Sequence, residues 1–442
     1  MREMKDSGIP WIGKVPSNWL VEPIFSDFVG VTRKNKFGRE KKALKFTYGE
    51  IVPKANFDAD NDNYVADTIL NYTIVEPGTI MLNGLNLNYD FISQRIGLVK
   101  QKGVITSAYT AFKPINMQKI SSKYSTYLFK AYDNCKAFHN MGGGVRKILN
   151  FKELSKQPFI HPPIGEQRRI ADYLDTKCAR IDSIRKNVES EIEALKQYKK
   201  SVITEAVTKG LNKNVEMKDS GIPWIGKIPK NWKTGKIKYI ADYSLNYPIG
   251  DGDHGLIKSS DYQIEGIPYI RVLNLTWGFG LDLTNIVYIS EKQNRSIQGS
   301  QLKPDDILIA KTGATIGKTA IVPATLPISN TTSHVGKISV SKEHCAMYFY
   351  YQMNSSIVQK QVYDISSMQS TRPELGIEGL KNLAIVIPPK LEQEKISAYI
   401  QDEVIRINLI IKQKKGVLTN LDSYKKSLIY EYVTGKKEVP TV

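Results

Sequence analysis

Two stretches of the chain space their apolar residues as helices do. In the first, Ile170, Leu174, Ile181, Ile184, Val188, Ile192, Leu195, Tyr198 and Val202 recur at alternating three- and four-residue steps. In the second, Ile396, Ile400, Ile407, Ile410, Leu418, Leu421, Tyr424 and Leu428 hold the corresponding places. This is the heptad seam of a coiled coil, with charged residues on the other faces and no interior proline. Lys414 stands where Val188 stands in the first seam and breaks the pattern. A helix of ~40 residues is about 60 Å long and cannot bury such a stripe alone. The two are therefore expected to pair, antiparallel. Elsewhere the pattern shortens to strands preceded by turns. Ile74-Val-Glu-Pro-Gly-Thr-Ile-Met-Leu82 and Gln301-Leu-Lys-Pro-Asp-Asp-Ile-Leu-Ile-Ala310 each put a turn before a β-rich run. Ile96–Val99, Ala320–Val322 and Lys337–Val340 are further strand candidates.

The chain is also written twice. Asp6-Ser-Gly-Ile-Pro-Trp-Ile-Gly-Lys-Val-Pro16 returns 213 positions later as Asp219-Ser-Gly-Ile-Pro-Trp-Ile-Gly-Lys-Ile-Pro229, and Asn18-Trp19 as Asn231-Trp232. Pro162-Pro163-Ile-Gly-Glu166-Gln167, at the head of the first helix, aligns with Pro388-Pro389-Lys-Leu-Glu392-Gln393 at the head of the second. Between these segments the halves look unrelated. The openings match at an offset of 213 (219 − 6) and the helix heads at 226 (388 − 162), so one framework is repeated around two different inserts, the second longer. The expected architecture is α+β: two mixed α/β heads separated by two long antiparallel coiled-coil helices, with an internal pseudo-two-fold repeat. The boundaries are a first head over 1–162, a helical spacer over 163–212, a second head over 213–388 and a closing helical segment over 389–442.

Composition narrows the partners. Lys and Arg number 62 against 44 Asp and Glu, a net charge of +18, which favours polyanions. No apolar run reaches the ~18 residues needed to span a bilayer. Three scattered cysteines and a polar start fit a reducing, cytoplasmic setting. Two heads on one framework match the pseudo-two-fold geometry of duplex DNA, and unlike heads imply an asymmetric, split target. A two-headed adaptor for proteins has the same organisation. DNA binding predicts a steep salt dependence and sequence preference; an adaptor shows neither.

At this point the residues resemble a known family. The paired Pro-Pro-x-x-Glu-Gln segments look like the constant regions of type I restriction-modification specificity subunits. The paired Gly-Ile-Pro-Trp-Ile-Gly openings look like the lead-ins of their target recognition domains. The resemblance covers essentially the whole chain. It implies a DNA-binding, non-catalytic subunit with two methyltransferase subunits docked on the helical spacer, and restriction/translocase subunits in the full complex. It also implies S-adenosylmethionine, ATP and magnesium on those partners, and no cofactor on this chain.

Candidate DNA contacts follow in each head. In the first, Arg33, Lys34 and Lys36 lie in a loop that interleaves cations with Phe37, Phe46 and Tyr48, suited to phosphates. A solvated charged turn has the same composition. Asn83, Asn86 and Asn88 offer amides able to pair with adenine. Ser107 and Tyr109 lie in a segment that resembles one seen in many such domains. Arg146 and Lys147 follow three glycines that allow close backbone approach. In the second head, Lys311, Thr312, Thr315 and Lys318 resemble the family's recognition loop. This segment fails as a P-loop, because the first glycine falls at Thr312. Arg271, Asn274, Asn330, Thr371 and Arg372 complete the set.

Enzyme readings fail on their residue requirements. His161-Pro-Pro-Ile and Ile387-Pro-Pro-Lys lack the Asn/Asp and the aromatic of an amino-methyltransferase motif. Ile309 stands where a metal-dependent nuclease of the PD-(D/E)-x-K kind needs its carboxylate before Lys311. The five histidines and three cysteines show no zinc-ligand spacing. No catalytic or metal-binding residue is expected.

Overall fold

The two helical stripes form the longest elements of the chain, Ile164–Lys209 (46 residues) and Lys390–Val433 (44 residues). A computed structural model describes residues 2–440 apart from 55–67, 92–93, 142–146, 253, 278–279 and 368–372. The chain forms two units, residues 1–188 with 415–442 and residues 189–414. Each unit thus holds one head and half of each long helix.

Within the first unit the helix halves run antiparallel. Tyr173 meets Tyr432, Asp182 meets Lys425 and Arg185 meets Asp422. Within the second, Lys414 pairs with Glu191 and Lys199 donates to Asn408. The cation that breaks the apolar seam is therefore held by a carboxylate on the facing helix. Ile184, Tyr198 and Tyr424, expected in the seam, are exposed, whereas Cys178, Ile203, Val404 and Ile411 are buried. A straight helix of 3.6 residues per turn drifts ~20° per heptad, so a strict heptad stripe turns out of the interface.

The head of the first unit begins with a hairpin, Met4–Asp6 against Lys14–Pro16. Its next strand, Leu20–Pro23, pairs antiparallel with Pro158–His161, the last strand before the long helix. Start and end of the insert are thereby tied together at the helix's base. Between them lies a four-stranded antiparallel sheet in the order Phe28–Gly30, Thr110–Pro114, Ile80–Leu82, Ile96–Leu98. Phe28, Phe112, Phe129 and Phe159 pack edge-on in the core beside it, on the helix Ser122–Asn134. T-shaped aromatic pairs of this kind add about 0.5–1.5 kcal/mol beyond area burial.

The second unit repeats this plan with different residues. Met217–Asp219 pairs with Lys227–Pro229, and Lys233–Lys236 with Ala384–Ile387. The four-stranded sheet runs Ile249–Asp251, Val335–Ile338, Ile307–Ala310, Thr319–Ile321. The inserts, unrelated in sequence, thus share one strand order. The second adds a three-stranded sheet in which Ile267–Ile270 pairs with Val287–Ile289 and Asn330–Thr331.

The paired Glu-Gln segments have a structural job. Gln167, buried, accepts from the Ser121 amide and donates to the Lys119 and Pro162 carbonyls. Gln393 does the same with the Cys345 amide and the Pro388 carbonyl. Glu392 accepts from the Trp232 indole at 2.7 Å, and Glu166 pairs with Arg2. A buried amide satisfied on both ends fixes each helix start to its head. Among the described residues, no helix is long and apolar enough to cross a membrane.

Candidate nucleic-acid interface

The antiparallel register sends three loops of the first head to one end of its four-stranded sheet. Gly30, the end of its strand, faces Phe112, and Leu82 faces both Thr110 and Ile96. The loops after Gly30, before Thr110 and between Leu82 and Ile96 therefore emerge side by side. In the second head Asp251 faces Gly336, Ala310 faces Val335 and Ile309 faces Thr319. The loops after Asp251, before Val335 and over 311–318 converge likewise. The asparagine segment 83–88 and the segment 311–318 are thus the same hairpin loop of the two heads. The Asn83 amide donates to the Arg95 carbonyl as the Ala310 amide donates to that of Lys318.

The segments before the closing elements also correspond. Leu149 donates to Gly84 and Leu87 to Lys147 in the first head. In the second, Gly313 donates to Pro373 and Leu375 to Lys311. Lys147 therefore stands beside the asparagine loop. Arg146, Thr371 and Arg372 lie outside the described residues.

In the first head Arg33, Lys34 and Lys36 are exposed and, with Arg39 and Lys102, line a cleft of about 310 Å³. Phe37 is 81% exposed at its mouth, with the Arg39 guanidinium 5.5 Å from its ring centre. Buried Asn35 holds this loop, its side-chain amide donating to the Glu40 carbonyl and accepting from the Glu40 backbone N–H. Five cations around one cleft suit phosphate neutralisation. Lys34 also reaches the Ser107 hydroxyl, which donates to the Asn71 carbonyl at 2.6 Å. Ser107 is therefore a brace of this edge. Tyr109 packs half-buried on Phe46.

Three predicted contacts in the second head prove to be interior. Lys311 is 3% exposed and forms an ion pair with Asp251, which also meets His254 at 3.0 Å. Burying an ammonium this far is costly, and the paired carboxylate offsets that cost. Asn274 is fully buried, bonding the Arg271 amide and the Asp282 carbonyl as the staple of a turn. Asn330 is fully buried, donating to Asn294 and the Ile297 carbonyl. Arg271 lies over the Tyr262 ring and donates to the Asn285 carbonyl. Thr312, Thr315 and Lys318 remain partly accessible on the loop, with Thr312 bonded to the exposed His334.

Two features escaped the sequence. One is a cleft of about 450 Å³ at the loop end of the second head, lined by Tyr247, Asp251, His254 and Arg295. Arg295 lies too far along the chain from the other three for any spacing rule to join it to them. The other is Arg95, wholly buried under the asparagine loop.

At the opposite end of the first sheet, Asp27, Glu22 and His161 form a cluster within metal-ligand distances of one another. Lys119 stands 2.9 Å from Asp27 and 3.0 Å from Glu22, supplying the cation itself. Its hydrogen bond holds the Glu22 carboxyl below the ordinary carboxylate range, against the effect of burial. The Lys119 ammonium is raised in turn, first by its bond to Asp27.

The family model for the type I restriction modification DNA specificity domain matches this chain twice, over residues 54–194 and 229–420. The chain belongs to that family. The EcoBI specificity subunit of Escherichia coli is 27% identical over 66% of this chain, a match spanning 60% of that subunit's length. A putative type I specificity subunit of Methanocaldococcus jannaschii, MjaX, is 23% identical over 97% of this chain and 96% of its own. Among solved structures, a chain from a study of complex assembly in a type I R-M system aligns with a TM-score of 0.71. It is 14% identical, and the alignment covers 96% of this chain and 99% of that one. The HsdS subunit of Thermoanaerobacter tengcongensis aligns at 0.50 and 14% identity, over 96% of this chain and 98% of its own. At such identities the structural likeness establishes the fold alone. Nothing in these relatives supports the protein-adaptor reading.

Proposed function

We propose that this chain is the sequence-reading subunit of a type I restriction-modification complex. It binds a split, asymmetric duplex site, one half per head, and does no chemistry itself. The observation that carries this is one sheet edge built twice with different loops: a shared frame presenting two different surfaces. Residues 1–162 and 213–388 act as the recognition domains, and the helical segments 163–212 and 389–442 set the gap between half-sites. The exposed cations Arg33, Lys34 and Lys36, with Lys147, sit where phosphates pass. Thr312, Thr315 and Lys318 face DNA from the second head.

Two methyltransferase subunits dock on the helical spacer, restriction/translocase subunits join the full complex, and the assembly works in the cytoplasm. S-adenosylmethionine, ATP and magnesium belong to those partners, and this chain holds no cofactor. The test is genome-wide methylation mapping in cells expressing the chain with its methyltransferase, with and without exchange of residues 230–387 for another insert. A split motif whose one half changes on the exchange supports the reading. A methylation pattern indifferent to the chain overturns it.

A further inference from the structure

The first head divides its loop edge between two chemistries. The loop over 33–42 is cationic. The loop Asn83-Gly-Leu-Asn-Leu-Asn-Tyr-Asp90 carries no cation and one carboxylate, so it is poorly suited to lie against phosphate. Its outward groups are the Asn86 amide, on an exposed residue, and the Tyr89 ring, 75% exposed. An amide able to donate and accept together matches the N6/N7 edge of adenine, and an aromatic ring offers an apolar face to bases.

This loop is fastened from below by a single buried cation. Arg95 has no exposed surface. It donates through one guanidinium nitrogen to the carbonyls of Asn83 (2.9 Å) and Leu85 (2.8 Å), and through another to that of Asp90 (2.6 Å). The Asp90 carboxylate stands farther off, at 3.7 Å. Its hydrogen bonds thus go to loop carbonyls, while the buried Asp133 carboxylate, which accepts from the Arg95 backbone N–H at 2.8 Å, also interacts with its charge. Any other loop conformation strands a buried guanidinium, so the cation penalises the alternatives. The fork geometry of Arg holds three carbonyls at once, which a lysine ammonium on its flexible stem cannot reproduce.

The rest of the loop agrees with a fixed conformation. Asn86 adopts a left-handed φ of 52° and its carbonyl accepts from both Tyr89 and Asp90. Leu87 is fully buried as an anchor between the two outward residues. A Cβ at Gly84 would lie 2.2 Å from the Leu149 carbonyl oxygen. His139 meets the Asp90 carbonyl at 3.0 Å.

We propose that Arg95 is a positioning residue that sets the base preference of the first head, holding Asn86 and Tyr89 against the edge of an adenine-containing half-site. The inference rests on the DNA-reading function proposed above. Pre-organised first contacts supported from beneath discriminate more sharply than mobile ones.

The test uses the full chain with its methyltransferase and compares wild type, Arg95→Lys and Asn86→Ala by methylation mapping. Affinity for a scrambled duplex is measured in parallel. Wild type must first yield a split motif; without one, the function reading itself fails. Given that motif, both variants are expected to relax the same adenine position of one half. The expected loss is on the order of tenfold in discrimination, the scale of one bidentate base contact. The other half and the scrambled-duplex affinity stay unchanged. The double variant is expected to lose no more than either single one. A first half that stays sharp in Arg95→Lys overturns the proposal, as does equal blurring of both halves with a fall in scrambled-duplex affinity. Should Arg95→Lys not fold, Asn86→Ala, an exposed substitution, decides: an unchanged half-motif overturns the assignment.

Discussion

The same hairpin loop is fastened in opposite ways in the two heads. In the first, the buried cation lies under the loop and its hydrogen bonds go to loop carbonyls. In the second, the buried cation, Lys311, is part of the loop and is neutralised by Asp251, at the end of another strand of the sheet. The first fastening comes from Arg95, at the far end of the loop's own hairpin, with the neighbouring segment adding bonds from Leu149 to Gly84 and from Leu87 to Lys147. The second fastening comes from outside the hairpin, from a strand far along the chain. The strand frame is common, so the chain varies its surface by changing how loops are anchored rather than where they start.

The largest effect is expected from breaking the ion pair of the second head. Asp251→Ala leaves the Lys311 ammonium buried and uncompensated, costing about 3–5 kcal/mol. Adding Lys311→Met removes the stranded charge and is expected to recover most of that. Urea unfolding of the full chain, followed by tryptophan fluorescence, checks both. Equal instability of single and double variants would mean that the pair is not the fastening.

A smaller effect lies at the base of the first head. Lys119→Met strips Asp27 of its ammonium partner and is expected to cost about 1–3 kcal/mol. The second head has hydrophobic Ile387 and small Gly235 at the strand positions of His161 and Glu22. The pH dependence follows in sign. The lowered Glu22 group contributes stability above its ordinary value of 4.5, lost as pH falls through its depressed folded value. The raised Lys119 group contributes below 10.5 and loses that as pH rises through its elevated value. The variant is expected to lose the part of the acid and alkaline sensitivity that this pair supplies, read from unfolding midpoints across pH. Retention of the full sensitivity would assign it elsewhere.

The smallest effect on stability belongs to the exposed cations. Arg33→Ala and Lys36→Ala are expected to change stability by no more than about 0.5 kcal/mol. Each is expected to lower the slope of log affinity for duplex DNA against log salt by ~0.9. Unchanged slopes would take these residues off the phosphate path.

Much of this was legible in the chain. The repeat, the two long helices and the strands near Ile80, Ile96, Ile307 and Lys337 followed from periodicity and turn residues. Exposure of the Arg33–Lys36 cations also followed, because short-range composition places a charged loop at the surface. Lys311, Asn274 and Asn330 read as contacts because their side chains are polar, yet each is buried with partners 60, 8 and 36 residues away. The loop 311–318 resembled a recognition loop in sequence, and the fold places it as a hairpin loop at the same end of its sheet as segment 83–88 in the first head. One of its lysines, Lys311, nonetheless points inward to a carboxylate that no local spacing reveals.

Local pattern fixed what depends on neighbours in the chain: where helices run, where strands begin, and that one framework occurs twice. The match of both inserts to one strand order, the pairing of first and last strands, and the inward turn of Lys311 and Arg95 depend on partners far along the chain. Only the tertiary structure decided these. A buried charge is tolerable solely where distant groups converge to satisfy it, and that convergence is a property of the fold rather than of any segment.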